Sequence, residues 1–201
     1  MRYRNTLILF ARAPLICRVK TRMWPALTHR QCLYLHRCLI AGFLKSFKQV
    51  FNTVIYTTQM AHYPVKTRLQ HGNDLGMRMF HAMSHELKHS DKVILIGSDC
   101  PQVDQTYISQ AFSSLDSNRD IILGPANDGG YFLIGAKRVS PALFKNVSWG
   151  TSNVLAETQL NIKKLGLNAK VLDQLIDVDT VDDLKELKQL NLLPVWAKSL
   201  L

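Results

Sequence analysis

Short runs of consecutive apolar residues, bounded by turn formers, alternate along this chain with longer stretches whose apolar positions recur every three or four residues. Runs of four to eight apolar residues mark strands buried on both faces, and the 3.6-residue period marks amphipathic helices. This pattern predicts strands at residues 6–11, 53–57, 92–97, 120–124, 131–136 and 169–172. It predicts helices from a cap at Thr28 to about Lys48, and at 75–89, 104–115, 151–165 and 180–190. Strands alternating with helices imply a three-layer α/β/α sandwich around a mostly parallel sheet. One pair departs from the rule, because only residues 125–130 separate the fourth and fifth predicted strands. A right-handed parallel crossover needs a dozen residues or more, so these two strands are either antiparallel neighbours or separated in the sheet. A mixed sheet is therefore expected. No repeat, low-complexity tract or flexible linker divides the sequence, so residues 1–201 are expected to form one domain.

Composition narrows the class. With 47% hydrophobic and 20% charged residues, the chain is neither disordered, collagen-like nor disulfide-dense. A domain this long buries roughly 70% of its unfolded surface and needs no disulfide or structural metal. The greasiest stretch, Leu33 to Phe47, is broken by His36, Arg37 and Lys45, so no membrane span is expected. The amino-terminal apolar run, Leu7 to Ala11, is followed by Arg12 without a small-residue cleavage site, and reads as a first strand rather than a signal peptide. The four cysteines form no CxxC pair or regular framework, which fits a reducing, cytoplasmic compartment.

The net charge of +10 is unevenly distributed. Residues 1–73 contain 12 Lys and Arg but no Asp or Glu, whereas all 15 acidic residues lie from Asp74 onward. An anionic partner is expected to meet the first half: a nucleotide phosphate, a nucleic acid or an acidic membrane surface. A solvated basic surface with no ligand is the plain alternative. Nucleic acid is the less expected partner, because no helix-turn-helix, zinc-finger or RNP-like pattern accompanies the cations.

In open α/β sheets ligands bind beyond the carboxyl ends of the strands, and polar clusters follow the predicted strands here. After the first comes Arg12-Ala-Pro-Leu-Ile-Cys-Arg18-Val-Lys20-Thr-Arg22. In an extended loop Arg18, Lys20 and Arg22 would share one side and converge on phosphates, although a solvated basic loop has the same composition. After the third comes Gly97-Ser98-Asp99-Cys100-Pro101. A carboxylate ending a buried strand needs a partner, so Asp99 is a candidate ligand for Mg²⁺ or Mn²⁺, or else a helix cap. Cys100 reads as a packed thiol. After the fourth, Asp128-Gly129-Gly130 offers close backbone approach to a ligand and a carboxylate able to take a proton from an acceptor hydroxyl; it is equally good turn chemistry. Near the end, Asp177-Val-Asp179-Thr180-Val-Asp182-Asp183 reads as a helix cap and first turn, and either Asp177 or Asp179 can complete a metal site begun by Asp99. Arg78, entering a helix from a glycine-bounded turn, is a further phosphate candidate, and Trp149 a stacking surface.

The succession ARAPLICRVKTRMWPAL, NDLGMRM, VILIGSDCP, GPANDGGYFLIG, WGTS and DVDTVDDL resembles the small bacterial glycosyltransferases of the glycosyltransferase-A superfamily, over nearly the whole chain. The segment from Arg18 to Leu27 is also similar to the 2-phospho-lactate guanylyltransferases. Both resemblances imply a nucleotide-diphospho-sugar transferase fold. They imply a metal-dependent transferase that moves a glycosyl group from a nucleotide sugar to an unspecified acceptor, with nucleotidyl transfer from a nucleoside triphosphate as the alternative. A non-catalytic nucleotide- or nucleic-acid-binding domain is the alternative of another class. By resemblance the metal falls to Asp99 and Asp179. By resemblance the phosphate contacts of the basic loop fall to Arg18, Lys20 and Arg22; read from the residues themselves, Arg12, Arg78, Ser98, Gly129 and Gly130 are further phosphate candidates, and Lys20 and Asp128 are placed nearest the chemistry. The group usually has Pro-Gly where this chain has Ile16-Cys17, and Lys in place of Arg12. A homo-oligomer is compatible with the sequence.

Overall fold

In the computed structural model, residues 3–116 and 118–192 are described. Among the described residues seven strands form one sheet: β1 (Tyr3–Ala11), β2 (Asn52–Thr57), β3 (Lys66–Leu69), β4 (Ser90–Gly97), β5 (Ile121–Pro125), β6 (Tyr131–Ala136) and β7 (Ala169–Val171), in the order β3-β2-β1-β4-β6-β5-β7. Only β6 runs against the others, antiparallel to both β4 and β5. The short connection that follows β5 is thus a hairpin, and the mixed sheet expected from its length is present.

Central strands are apolar without alternation because both sheet faces are covered. Leu7, Ile8 and Leu9 of β1 are fully buried. Leu7 and Leu9 join a cluster with Ile40, Phe43 and Phe47 of α1 (His29–Phe47) and with Ile108, Phe112 and Leu115 of α3 (Gln105–Asp116). Ile8 faces Met79, Ala82 and Met83 of α2 (Leu75–Leu87) and Ile162 of α4 (Val154–Lys164). Helix α5 (Val181–Gln189) packs Leu184 and Leu187 on Cys32, Leu35 and Leu39 of α1. Thr28 caps α1 through a reciprocal box with Gln31, which fixes where the helix begins after the basic loop.

The edge strand β3 escaped the pattern of apolar runs. Its four residues, Lys-Thr-Arg-Leu, carry two cations, the usual protection of a sheet edge against further pairing. The strand is pinned from below: Arg68 Nε donates to Glu86 of α2 at 2.8 Å, and Tyr56 Oη donates to the same carboxylate oxygen at 2.8 Å. Glu86 is buried, so removing it strands a guanidinium and a hydroxyl. Glu86→Ala is expected to cost about 3 kcal/mol in urea denaturation; a cost under ~1 kcal/mol would show that the pair does not hold β3.

A candidate nucleotide cleft at the carboxyl edge of the sheet

The antiparallel turn of β6 places the 126–130 loop at the edge where β1 and β4 end. A parallel bridge between Ala126 and Leu175 then lays the segment before α5 beside that loop. The Val178 N–H donates to the Asp99 carbonyl at 2.7 Å, tying this segment to the end of β4. Three loops distant in sequence therefore wall one cleft of about 630 Å³.

Most of the expected site residues line this cleft: Arg12, Lys20, Arg22, Arg78, Ser98, Asp99, Asp128, Gly130 and Asp179. Two do not. Arg18 is exposed outside it, and Gly129 is structural. With φ +86°, Gly129 passes so close to Ser152 that a Cβ would meet its carbonyl oxygen at 2.3 Å, and its own carbonyl accepts from Leu155 N–H at 3.0 Å.

The loop after β1 is not extended, and the expected alternation of Arg18, Lys20 and Arg22 does not hold. Cys17 (φ +59°) and Lys20 (φ +51°) both adopt left-handed backbone, and Thr21–Met23 forms a 3₁₀ turn. These bends send Arg18 to solvent and Lys20 inward. Cys17 thus takes the conformation that glycine would adopt at the position where the resembling group has it, at a steric cost of roughly 1–2 kcal/mol.

Lys20 is the pivot of the site. Its side chain is only 2% exposed, and its ammonium lies 2.9 Å from Asp99 Oδ1 and 3.6 Å from Asp179 Oδ1, while donating to the Val178 carbonyl. Ser98 Oγ donates to Asp99 Oδ1 at 3.0 Å. Burial works against the charge on Asp99, yet the Lys20 ammonium prevails and holds its carboxyl below the ordinary range. Asp99, expected as a metal ligand, is thus engaged in an ion pair. Arg22 Nη1 lies 3.0 Å from Asp179 Oδ2.

The carboxylates that do converge are Asp128, Asp177 and Asp179, with oxygens within 4.8 Å of one another. Burial and repulsion from Asp179 and Asp128 push Asp177 up to about 7. Asp179 is also raised, by burial and by Asp99, against the pull of Lys20 and Arg22. Three hard oxygen donors at this spacing, held at an electrostatic cost, suit Mg²⁺ or Mn²⁺. The signal for Asp177 was present in sequence: Asp-Val-Asp puts both carboxylates on one side, with the buried Val178 facing the other way.

Arg12 also lines the cleft and is exposed, while its carbonyl is held by His36 Nε2 at 2.9 Å. Arg78 Nε donates to the Gly72 carbonyl at 3.0 Å. Trp149 is half-buried, edge-on to Tyr131, and gives the cleft an apolar wall. Thr58 and Gln70, which sequence reasoning missed, line the end of β2; Gln70 Nε2 donates to the carbonyls of Ala11 and Tyr56 at 2.9 and 3.1 Å. Cys100 is buried, its thiol pushed up to about 12 chiefly by that burial, as befits a packing residue.

Fold and cleft together define a protein with the nucleotide-diphospho-sugar transferase-like fold. The chain belongs to the DUF2064 family, described as an uncharacterized protein conserved in bacteria, whose model matches residues 49–151. It is similar to a protein of Desulfovibrio desulfuricans G20, provisionally named a nucleotide-diphospho-sugar transferase, with a TM-score of 0.89 and 28% identity, covering 97% of this chain and 90% of that one. A cytidylyltransferase from Leptospira borgpetersenii serovar Hardjo-bovis shares the fold at a TM-score of 0.58 and 13% identity, over 93% and 86% of the two chains. So does Rv0371c from Mycobacterium tuberculosis H37Rv, solved in complex with manganese, at 0.54 and 15%, over 94% and 100%. No curated protein matches the chain.

Proposed function

We propose that the protein is a divalent-metal-dependent transferase that binds a nucleotide-activated sugar in this cleft and transfers its glycosyl group. The observation that carries the reading is the juxtaposition of the Asp128, Asp177 and Asp179 carboxylates with the guanidiniums of Arg12, Arg22 and Arg78 around one cavity. The name of the Desulfovibrio protein and the manganese complex of Rv0371c support it.

In this reading Asp128, Asp177 and Asp179 hold Mg²⁺ or Mn²⁺, which supplies a Lewis acid for charge developing on the departing diphosphate. Of the roles open to Asp128, ligation is the one its closeness to the other two carboxylates favours over that of a free base. Arg12, Arg22 and Arg78 bind phosphate oxygens, the planar guanidinium matching them with paired hydrogen bonds. Lys20 is a positioning residue: its ammonium fixes the orientation of Asp99 and Asp179, and Ser98 braces Asp99. Gly130 leaves room at the cleft wall while its N–H holds Asp128 Oδ1 at 2.9 Å. Tyr131 and Trp149 exclude water from one side and offer a ring face to sugar or base.

Nucleotidyl transfer is the second reading, favoured by the three guanidiniums, enough for the larger charge of a triphosphate. The product separates the two: a free nucleoside diphosphate from a nucleotide sugar indicates glycosyl transfer, and pyrophosphate from a nucleoside triphosphate indicates nucleotidyl transfer. Arg78→Ala is expected to weaken nucleoside diphosphates on the order of tenfold, with nucleosides unaffected. Equal losses for both in a calorimetric titration would remove Arg78 from phosphate binding.

A further inference from the structure

A second concavity, of about 420 Å³, lies between α1 and the 61–64 loop and shares no lining residue with the cleft. Its floor is apolar, formed by Pro14, Ile40 and Leu44, and its rim carries Arg37, Lys45 and Lys48. Among the described residues none of these three cations has an ion-pair partner, and residues 1–73 supply no acid to provide one. The cations belong to an exposed stripe at helical spacing, Arg30, Tyr34, Arg37, Ala41, Lys45 and Lys48. Tyr63, on the groove wall, has a hydroxyl shielded from solvent and without a hydrogen-bond partner. Next to the groove in sequence, Leu15, Ile16 and Met60 are 40%, 52% and 64% exposed.

We propose that this groove docks an anionic phospholipid of a membrane surface, with the phosphate on Arg37, Lys45 and Lys48 and an acyl chain on the apolar floor. Cations alone would serve any polyanion. The aliphatic floor of Pro14, Ile40 and Leu44, flanked by exposed Leu15, Ile16 and Met60, matches the depth profile of a headgroup over hydrocarbon. No helix among the described residues is long and apolar enough to cross a membrane. The proposal is independent of the nucleotide cleft.

The test is sedimentation with phosphatidylcholine vesicles containing none or about 30% phosphatidylglycerol. Wild type is expected to bind only the anionic vesicles, and Asp177→Asn to bind them equally well. Replacing Arg37, Lys45 and Lys48 with glutamine should weaken partitioning on the order of a hundredfold, at about fivefold per cation. Ala41→Gln, which puts a polar side chain into the groove from an exposed position and keeps every charge, should weaken it about tenfold. An unchanged Ala41→Gln would reduce the effect to surface charge and overturn the proposal. So would release from vesicles by inorganic phosphate, which would mean a free-phosphate site, or tighter binding to polyuridylate RNA, which would mean a nucleic-acid surface.

Discussion

Asparagine in place of Asp177 is expected to make the metal-free protein more stable at about pH 8, by roughly 2 kcal/mol, with the gain shrinking toward nothing near pH 4. The sign follows from the carboxyl's surroundings. Burial and the neighbouring Asp179 and Asp128 raise it to about 7 in the folded chain, so it binds a proton that the unfolded chain has already released. As pH rises from about 4 through 7, the folded state must ionise this carboxyl against its neighbours, and stability falls. A carboxyl displaced from near 4 to about 7 carries roughly 4 kcal/mol; partial exposure and relaxation bring the expected effect to about half. Manganese should reverse the order, stabilising wild type and not the variant. Urea denaturation at both pH values, with and without the ion, measures all of this. A variant less stable than wild type at high pH would mean that the carboxylates do not repel one another.

The second large effect concerns Lys20. Lys20→Met is expected to cost about 3 kcal/mol, because it leaves Asp99 and Asp179 at the cleft floor without their shared cation. Adding Asp99→Asn should recover a large part of that loss, since the uncompensated charge causes it. The double-mutant cycle therefore predicts a coupling of at least ~1.5 kcal/mol between the two positions. Independent, additive losses would show that Lys20 serves the loop's packing alone and orients no carboxylate.

The sheet was legible from sequence wherever a strand is buried on both faces, because continuous apolar runs such as Leu7 to Leu9 have no other economical arrangement. The strand β3 was not, since an edge strand of Lys-Thr-Arg-Leu is stabilised by pairing with β2 and by the Arg68–Glu86 contact, neither of which leaves a local pattern. The same distinction applies to the cleft. Positions after strands announced Asp99, Asp128 and the basic loop, but partner choice depended on backbone conformation. Left-handed turns at Cys17 and Lys20, residues that seldom adopt them, turned Lys20 inward to Asp99 and left the acid cluster to Asp128, Asp177 and Asp179. The alternating Asp-Val-Asp carried that information, overshadowed by the helix-capping role of its neighbours Thr180 and Asp183.

The most direct test of the nucleotide site is a calorimetric titration of manganese, followed by nucleoside diphosphates, into wild type and Asp177→Asn. The arrangement predicts one manganese site in wild type, nucleotide binding that depends on it, and loss of both in the variant. Nucleotide binding that is equally tight without manganese, or unchanged by Asp177→Asn, would contradict the assignment of the three carboxylates.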